Sequence, residues 1–111
     1  MIFVEARAFS HRRADHLSDS EFRALQTALL IDPERGVVIP GTGGLRKLRW
    51  SGSGRGRRGG LRVIYFLLES GDLVLLLLLY PKNQQDDLTP EQTRILRDLI
   101  AAEIRARAEE L

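Results

Sequence analysis

Basic residues are concentrated in one part of this 111-residue sequence. The segment from Arg35 to Leu68 contains no Asp or Glu, yet it holds eight of the 17 lysines and arginines. The rest of the chain has nine basic and 15 acidic residues, so the formal net charge of +2 conceals a strongly cationic segment. A cation cluster of this density, built on strands, is typical of proteins that bind a phosphate backbone.

Within this segment, residues 45–50 alternate with the period of a β-strand. Successive side chains of a strand point to opposite faces, so Lys47 and Arg49 share one face, and Leu48 and Trp50 are expected to point into the core. Two neighbouring cations with no acid to pair them repel each other, an arrangement that makes most sense when an anion completes it. Arg62, at the start of the next predicted strand, is placed to join them.

The arginines of the glycine-rich stretch 51–60 form a second group. The stretch predicts a hairpin loop, and we assign Arg55, Arg57 and Arg58, together with Arg46, to docking of a phosphate backbone rather than to chemistry. Guanidinium groups bind phosphates through two parallel hydrogen bonds, and glycines let backbone amides approach as well. The alternative interpretation is a solvated hairpin tip with scattered arginines.

Other kinds of site fit the sequence less well. Residues 54–59 have the spacing G-x-G-x-x-G, but a dinucleotide site needs a strand before that motif and a helix after it, and here the motif joins two strands. His11 and His16 are five residues apart, which does not align them on one helix face as metal ligands. The chain has no Cys. We therefore expect no metal and no cofactor.

Tyr80 and Lys82 lie where the last predicted strand ends. One interpretation makes Tyr80 a core residue with its hydroxyl at the sheet edge. The other places the phenol beside the basic face, where it would stack on a base or bind a phosphate.

The remaining pattern predicts the elements that position these residues. Residues 1–8 predict a short strand, and Ser10 is a candidate cap for a helix over residues 11–17. Ser18 and Glu21 have capping-box spacing, and an apolar stripe of Phe22, Leu25 and Leu29 follows. Residues 36–44 predict a loop.

Three strands, at 45–50, 61–69 and 73–80, are expected to form an antiparallel meander. The last of them is apolar on both faces, which indicates a central strand covered on both sides. Thr89 and Gln92 predict the start of a C-terminal helix. Its apolar stripe is expected to pack on the sheet and comprises Ile95, Leu96, Leu99, Ile100 and Ile104.

The sequence therefore predicts one α+β domain over residues 1–111: a small antiparallel sheet with helices before it and a helix packed on it. The N-terminal segment has no long apolar core behind a basic start, and residues 73–79 are far fewer than the about 20 that span a bilayer. We expect a cytoplasmic protein with no membrane partner.

Read in order, these segments resemble the RelE superfamily of bacterial toxins, particularly its HigB-like branch. The resemblance covers nearly the whole chain and is carried by PGTGGLRK at 40–47, RRGGLRVIY at 57–65, LYPKN at 79–83, DLT at 87–89 and the closing helix. It implies a toxin of a type II toxin–antitoxin system. Such toxins are metal-independent, ribosome-dependent endoribonucleases that cleave mRNA in the A site, and a cognate antitoxin, usually a helix-turn-helix DNA-binding protein, neutralises them.

The resemblance also implies roles for individual residues. Lys47 and Arg49 match two basic residues on the active-site strand, and Arg62 matches an arginine that contacts the scissile phosphate. Tyr80 and Lys82 lie where the family has further catalytic or RNA-contacting residues.

The chain departs from RelE at three positions. Arg49 replaces a lysine general base, Asn83 replaces an arginine, and Pro81 replaces a glycine. The departures at Arg49 and Asn83 keep open the alternative of a non-catalytic RNA- or ribosome-binding module. A second alternative is that the basic face holds an acidic protein segment.

Overall fold

A computed structural model describes residues 1–51, 60–68 and 72–109 and confirms the α+β class. The described strands, in chain order, are β1 (Ile2–Glu5), β2 (Val37–Val38), β3 (Leu45–Trp50), β4 (Leu61–Leu67) and β5 (Leu73–Pro81). The described helices are α1 (Arg7–His16), α2 (Asp19–Ile31) and α3 (Pro90–Glu109).

The sheet has the strand order β1-β5-β4-β3-β2. Strands β3, β4 and β5 form the predicted antiparallel meander. Two features differ from the prediction. Strand β1 pairs with β5 in parallel, so the sheet is mixed, and the predicted loop 36–44 contains β2, which pairs with β3.

Both faces of the sheet are covered, because β4 and β5 carry apolar side chains on both faces and each face must be shielded from water. Helices α1 and α2 cover one face, where Phe9, Leu25 and Leu29 pack against β4 and β5. Helix α3 covers part of the other face through Leu96 and Ile100. This second face, called the α3 face below, also carries the predicted site.

A bulge separates the two halves of the β4–β5 ladder. Ile64 pairs with Leu78 and Tyr65 pairs with Leu76, so Leu77 is an extra residue in β5. Both Leu77 and Leu78 belong to the cluster on the α3 face. The bulge therefore reverses the alternation in the last residues of β5.

The helix caps are mostly those that the sequence predicts. At α2 the Ser18 hydroxyl accepts a hydrogen bond from the amide of Glu21, and the Glu21 carboxylate accepts one from the amide of Ser18. Thr89 and Gln92 make the same reciprocal bonds at α3. The prediction for α1 was wrong: it begins at Arg7, and Ser10 lies inside it with its hydroxyl donating to Glu5.

The apolar stripe of α3 is only partly buried. Leu96 and Ile100 contact the sheet as predicted, whereas Ile95, Leu99 and Ile104 are exposed. Ile95 and Leu99 lie towards another side of the helix, while Ile104 follows Ile100 by one turn on the same side. None of the helices within the described ranges is long and apolar enough to cross a membrane.

Candidate functional site

The site is a row of side chains that crosses three strands. Arg49 of β3 pairs with Arg62 of β4, and Arg62 pairs with Tyr80 of β5. Lys47 pairs with Ile64, whose side chain belongs to the α3-face cluster. Residues directly opposite each other across strands lie on the same face of a sheet. The predicted convergence of Lys47, Arg49 and Arg62 on one face is therefore confirmed; these three residues are called the basic row.

The basic row is not free of acids, and this part of the prediction was wrong. The connector between β5 and α3 (residues 82–89) folds back over the row. Lys47 Nζ lies 2.6 Å from Asp87 Oδ1, and Arg62 Nε lies 3.0 Å from Asp86 Oδ1. Two members of the row therefore bind the protein's own carboxylates, and only Arg49 has no ion pair within the described residues.

Arg62 is almost completely covered, with only 3% of its side chain exposed, whereas its partner Asp86 is about half exposed at 48%. The hydrogen bond from the Arg62 guanidinium holds the pKa of the Asp86 carboxyl below its ordinary value, although desolvation acts in the opposite direction. The charges of Lys47 and Lys82 also lower this pKa. The pair therefore stays ionised at neutral pH.

Tyr80 is the core residue of the first interpretation. Its side chain is fully buried, and its hydroxyl donates a hydrogen bond to the Asp86 carbonyl at 3.2 Å. Burial raises the pKa of Tyr80 to about 12, and the negative charges of Asp87 and Asp86 add to this effect. A phenol in this position holds the connector in place and has no exposed ring face on which a base could stack.

A Tyr80→Phe variant tests this account of the phenol. It is expected to lower the free energy of unfolding by about 1 kcal/mol at pH 8, because the hydrogen bond to Asp86 is lost. In the wild type, the pKa of Tyr80 rises on folding from 10.0 to about 12, so its stabilising contribution is complete below pH 10 and is lost as the pH rises through 12.

The difference in stability between wild type and variant should therefore shrink by about 1 kcal/mol between pH 8 and pH 11. Urea unfolding at the two pH values measures it, and each protein at pH 8 serves as its own control. A gap of the same size at both pH values would contradict the assignment.

The remaining predicted residues are more dispersed. Lys82 is exposed just beyond β5, and its backbone amide donates to the Gly60 carbonyl at 3.0 Å. Its charge acts on Asp86, which places it beside the site. The RNA-docking candidates Arg55, Arg57 and Arg58 lie outside the described residues.

Arg46 lies on the opposite face from the basic row, because it alternates with Lys47 and Arg49 along β3. Its guanidinium donates to the carbonyl oxygens of Glu34 and Gly36, at 3.2 and 2.8 Å. The structure therefore separates Arg46 from the site, and it holds the turn between α2 and β2.

Sequence reasoning missed the two carboxylates and one further cation. Asp86 and Asp87 were given no role in the site, although Asp87 belongs to the DLT segment at 87–89. Arg35 was counted among the basic residues but was not assigned to the site; its guanidinium lies 5.6 Å from the centre of the Trp50 ring. The only sequence signal for a role of these two carboxylates was that they closely follow the LYPKN segment at 79–83.

Guanidinium and ammonium groups, such as those of the basic row, are the side chains that bind phosphates and carboxylates. No group of three or more His, Asp or Glu side chains suited to holding a metal ion occurs in the described part of the chain. No protein-family model matches the sequence. The function is therefore argued from the residues themselves.

Proposed function

We propose that this protein is the toxin of a type II toxin–antitoxin system, an endoribonuclease that cleaves mRNA on the ribosome and needs no metal. The observation that carries the proposal is the pairing of Arg49 with Arg62 across β3 and β4, with Lys47 on the same face. Two guanidinium groups and an ammonium on one sheet face suit a phosphodiester. The resemblance to RelE-like toxins supports the same substrate.

The reaction is attack by the ribose 2′-hydroxyl on the adjacent phosphorus. A bond from O2′ to phosphorus forms and the bond to O5′ breaks, which leaves a 2′,3′-cyclic phosphate and a 5′-hydroxyl. Negative charge grows on the phosphoryl oxygens in the transition state. Arg62 and Arg49 would stabilise this charge, and one well-placed donor contributes about 3–4 kcal/mol in oxyanion holes.

The proton steps need other groups. Arg49 does not give up its proton at ordinary pH. Lys47 lies 2.6 Å from the carboxylate of Asp87. An ionised carboxylate accepts a proton, so we assign the role of the base to Asp87, whose side chain is the more exposed of the two carboxylates. Lys82 is the exposed candidate that would protonate O5′.

Binding of RNA requires a rearrangement of the connector. Arg62 is covered in its contact with Asp86, so a phosphate reaches this guanidinium only when the carboxylate moves aside. Tyr80 acts here as a positioning residue, because its hydroxyl holds the Asp86 backbone.

A non-catalytic RNA- or ribosome-binding module is the second candidate function. The ion pairs of Asp86 and Asp87 favour it, since they occupy two of the three cations of the basic row. In that case the connector pairs are structural and the RNA contacts only the exposed cations.

Induced expression followed by mapping of mRNA 5′ ends separates the two functions. We expect new 5′ ends within codons for the wild type and few for Lys47→Ala/Arg49→Ala. The matched control is Arg23→Ala/Arg97→Ala, which removes the same charge from exposed positions on α2 and α3 and should cleave normally. Ribosome stalling on intact mRNA would assign the second function instead.

The partner and location follow from this proposal. The toxin would act on mRNA in the ribosomal A site, in the cytoplasm, and would be neutralised by a cognate helix-turn-helix antitoxin.

A further inference from the structure

A groove beside the basic row lies at the β2 edge of the sheet. It has a volume of about 430 Å³ and is lined by Arg35, Val37, Lys47, Leu48 and Arg49. The groove exists because β2 is short: it pairs with β3 at only two positions, through Val37 with Lys47 and Val38 with Arg46. Residues 48–50 of β3 have no partner in β2, whereas the Leu45 carbonyl accepts a hydrogen bond from the Ile39 amide at 2.8 Å.

Two cations of the groove have no carboxylate partner. Arg35 and Arg49 are exposed, and neither forms an ion pair with any residue in the described ranges. Lys47, the third cation of the lining, is already held by Asp87. Unpaired like charges around one concave surface repel each other, and a bound anion relieves that repulsion. The groove is therefore the part of the site that is ready to bind an anion before the connector moves.

The position of Arg35 is fixed by its neighbours in the turn between α2 and β2. The Tyr65 hydroxyl donates to the Pro33 carbonyl at 2.7 Å and accepts from the Gly36 amide at 2.8 Å. Arg46 donates to the Gly36 carbonyl from the same side. Gly36 fits closely, because a Cβ there would lie 2.6 Å from the Tyr65 ring. The turn thus presents Arg35 from a rigid support.

An apolar side chain is exposed in the same groove. Val37 is 74% exposed and lines the groove together with the cations. Cations beside an exposed apolar surface suit a nucleotide, which offers a charged phosphate and a flat apolar base.

We propose that this groove binds the nucleotide next to the scissile phosphate of a single-stranded RNA, with Arg35 and Arg49 on its phosphate and Val37 against its base. This inference rests on the proposed function and extends it to a residue outside the basic row. The direction in which the RNA runs follows from the order of the strands. The groove lies on the β2 side of β3 and Arg62 lies on the β4 side, so an RNA strand that crosses β3 contacts both.

Binding measurements on a non-cleavable probe test the groove. The probe is a fluorescein-labelled single-stranded RNA of mixed sequence with 2′-O-methyl groups, which cannot attack phosphorus. Arg35→Gln is expected to weaken binding about three- to tenfold and to flatten the salt dependence by about 0.7, the value for one phosphate contact on a single strand. Val37→Glu puts a carboxylate into the groove at an exposed position and should weaken binding at least as much.

Two control variants match these changes in charge. Val38→Glu places the same charge one residue along β2, on the opposite face beside Arg46, and Arg23→Gln removes a cation from exposed α2. Both should bind the probe within about twofold of the wild type, since neither alters a phosphate contact. Thermal unfolding of each variant confirms that it is folded.

If both Arg35→Gln and Val37→Glu bind the probe with wild-type affinity, the proposal that this groove binds RNA is overturned. Continued cleavage by these variants would leave the proposed function intact. A wild-type protein that neither binds nor cleaves RNA would remove the proposed function itself. Tight binding of a polyglutamate peptide that Arg35→Gln abolishes, with no effect on RNA, would assign the groove to a protein partner and overturn the proposal.

Discussion

Replacing Arg62 with alanine is expected to slow RNA cleavage by about 100- to 1,000-fold, the loss seen when one preorganised donor is removed from an oxyanion hole. Arg62 lies between Arg49 and Tyr80 across the three central strands and is the most deeply buried cation of the site. It lies directly opposite Arg49 on the sheet, a position that no exposed cation of the site can take, so its loss is not compensated. Single-turnover cleavage of ribosome-bound mRNA measures the effect.

Asp86→Asn is the matched control for Arg62→Ala. Both variants break the ion pair between residues 62 and 86, which is 3.0 Å long in the wild type. Only Arg62→Ala removes the guanidinium from the phosphate. We expect both to lower the free energy of unfolding and Asp86→Asn to retain most of the cleavage rate. Equal loss of cleavage in both variants would make Arg62 a residue that merely holds the connector.

Neutralising both connector carboxylates should strengthen RNA binding. Asp86→Asn/Asp87→Asn is expected to tighten binding of the 2′-O-methyl RNA about tenfold, equivalent to about 1.4 kcal/mol. The carboxylates compete with the phosphate for Arg62 and Lys47, and a hydrogen bond to a charged group contributes about 1.5–3 kcal/mol. The gain is a fraction of that value, because the exposed Lys47–Asp87 pair contributes little.

The same double variant should show a steeper dependence of affinity on salt, by about 0.7 for each phosphate that gains a contact. Glu91→Gln/Asp98→Asn makes the same change in charge on exposed α3 and should leave the affinity and the salt slope unchanged. If the double variant binds no more tightly than this control, the carboxylates do not compete with RNA.

The sequence predicted the site best where the pattern was local. Strand β3 has the predicted bounds, because six alternating residues define both the strand and its faces. The capping boxes of α2 and α3 depend on side chains three residues apart and were also predicted correctly.

The contacts between the connector and the basic row could not be predicted from local sequence patterns. Asp86 and Asp87 lie 24 and 40 residues along the chain from Arg62 and Lys47, and nothing in a polar connector indicates where it will fold. The exposed side of α3 was missed for a related reason: the helical period identifies apolar residues, but the area of sheet that remains to be covered decides which of them are buried.

The position of Tyr80 depends on the bulge. Strict alternation along β5 from Leu73 would place Leu79 on the α3 face and Tyr80 on the other. The extra residue at Leu77 reverses this order and puts Tyr80 opposite Arg62. A run of identical leucines gives no sign of such a change.

That run of five leucines, residues 75–79, has a further consequence for the alignment of the two central strands. Moving the bulge by one position replaces one leucine with another at each place on the two faces. The alternative alignments of β4 and β5 therefore bury nearly the same apolar surface, and only weak forces oppose slippage between them. The polar contacts of Arg62, Tyr80 and Asp86 at the end of the strand favour the correct alignment over the others. The residues that gather the cations thus also align the sheet.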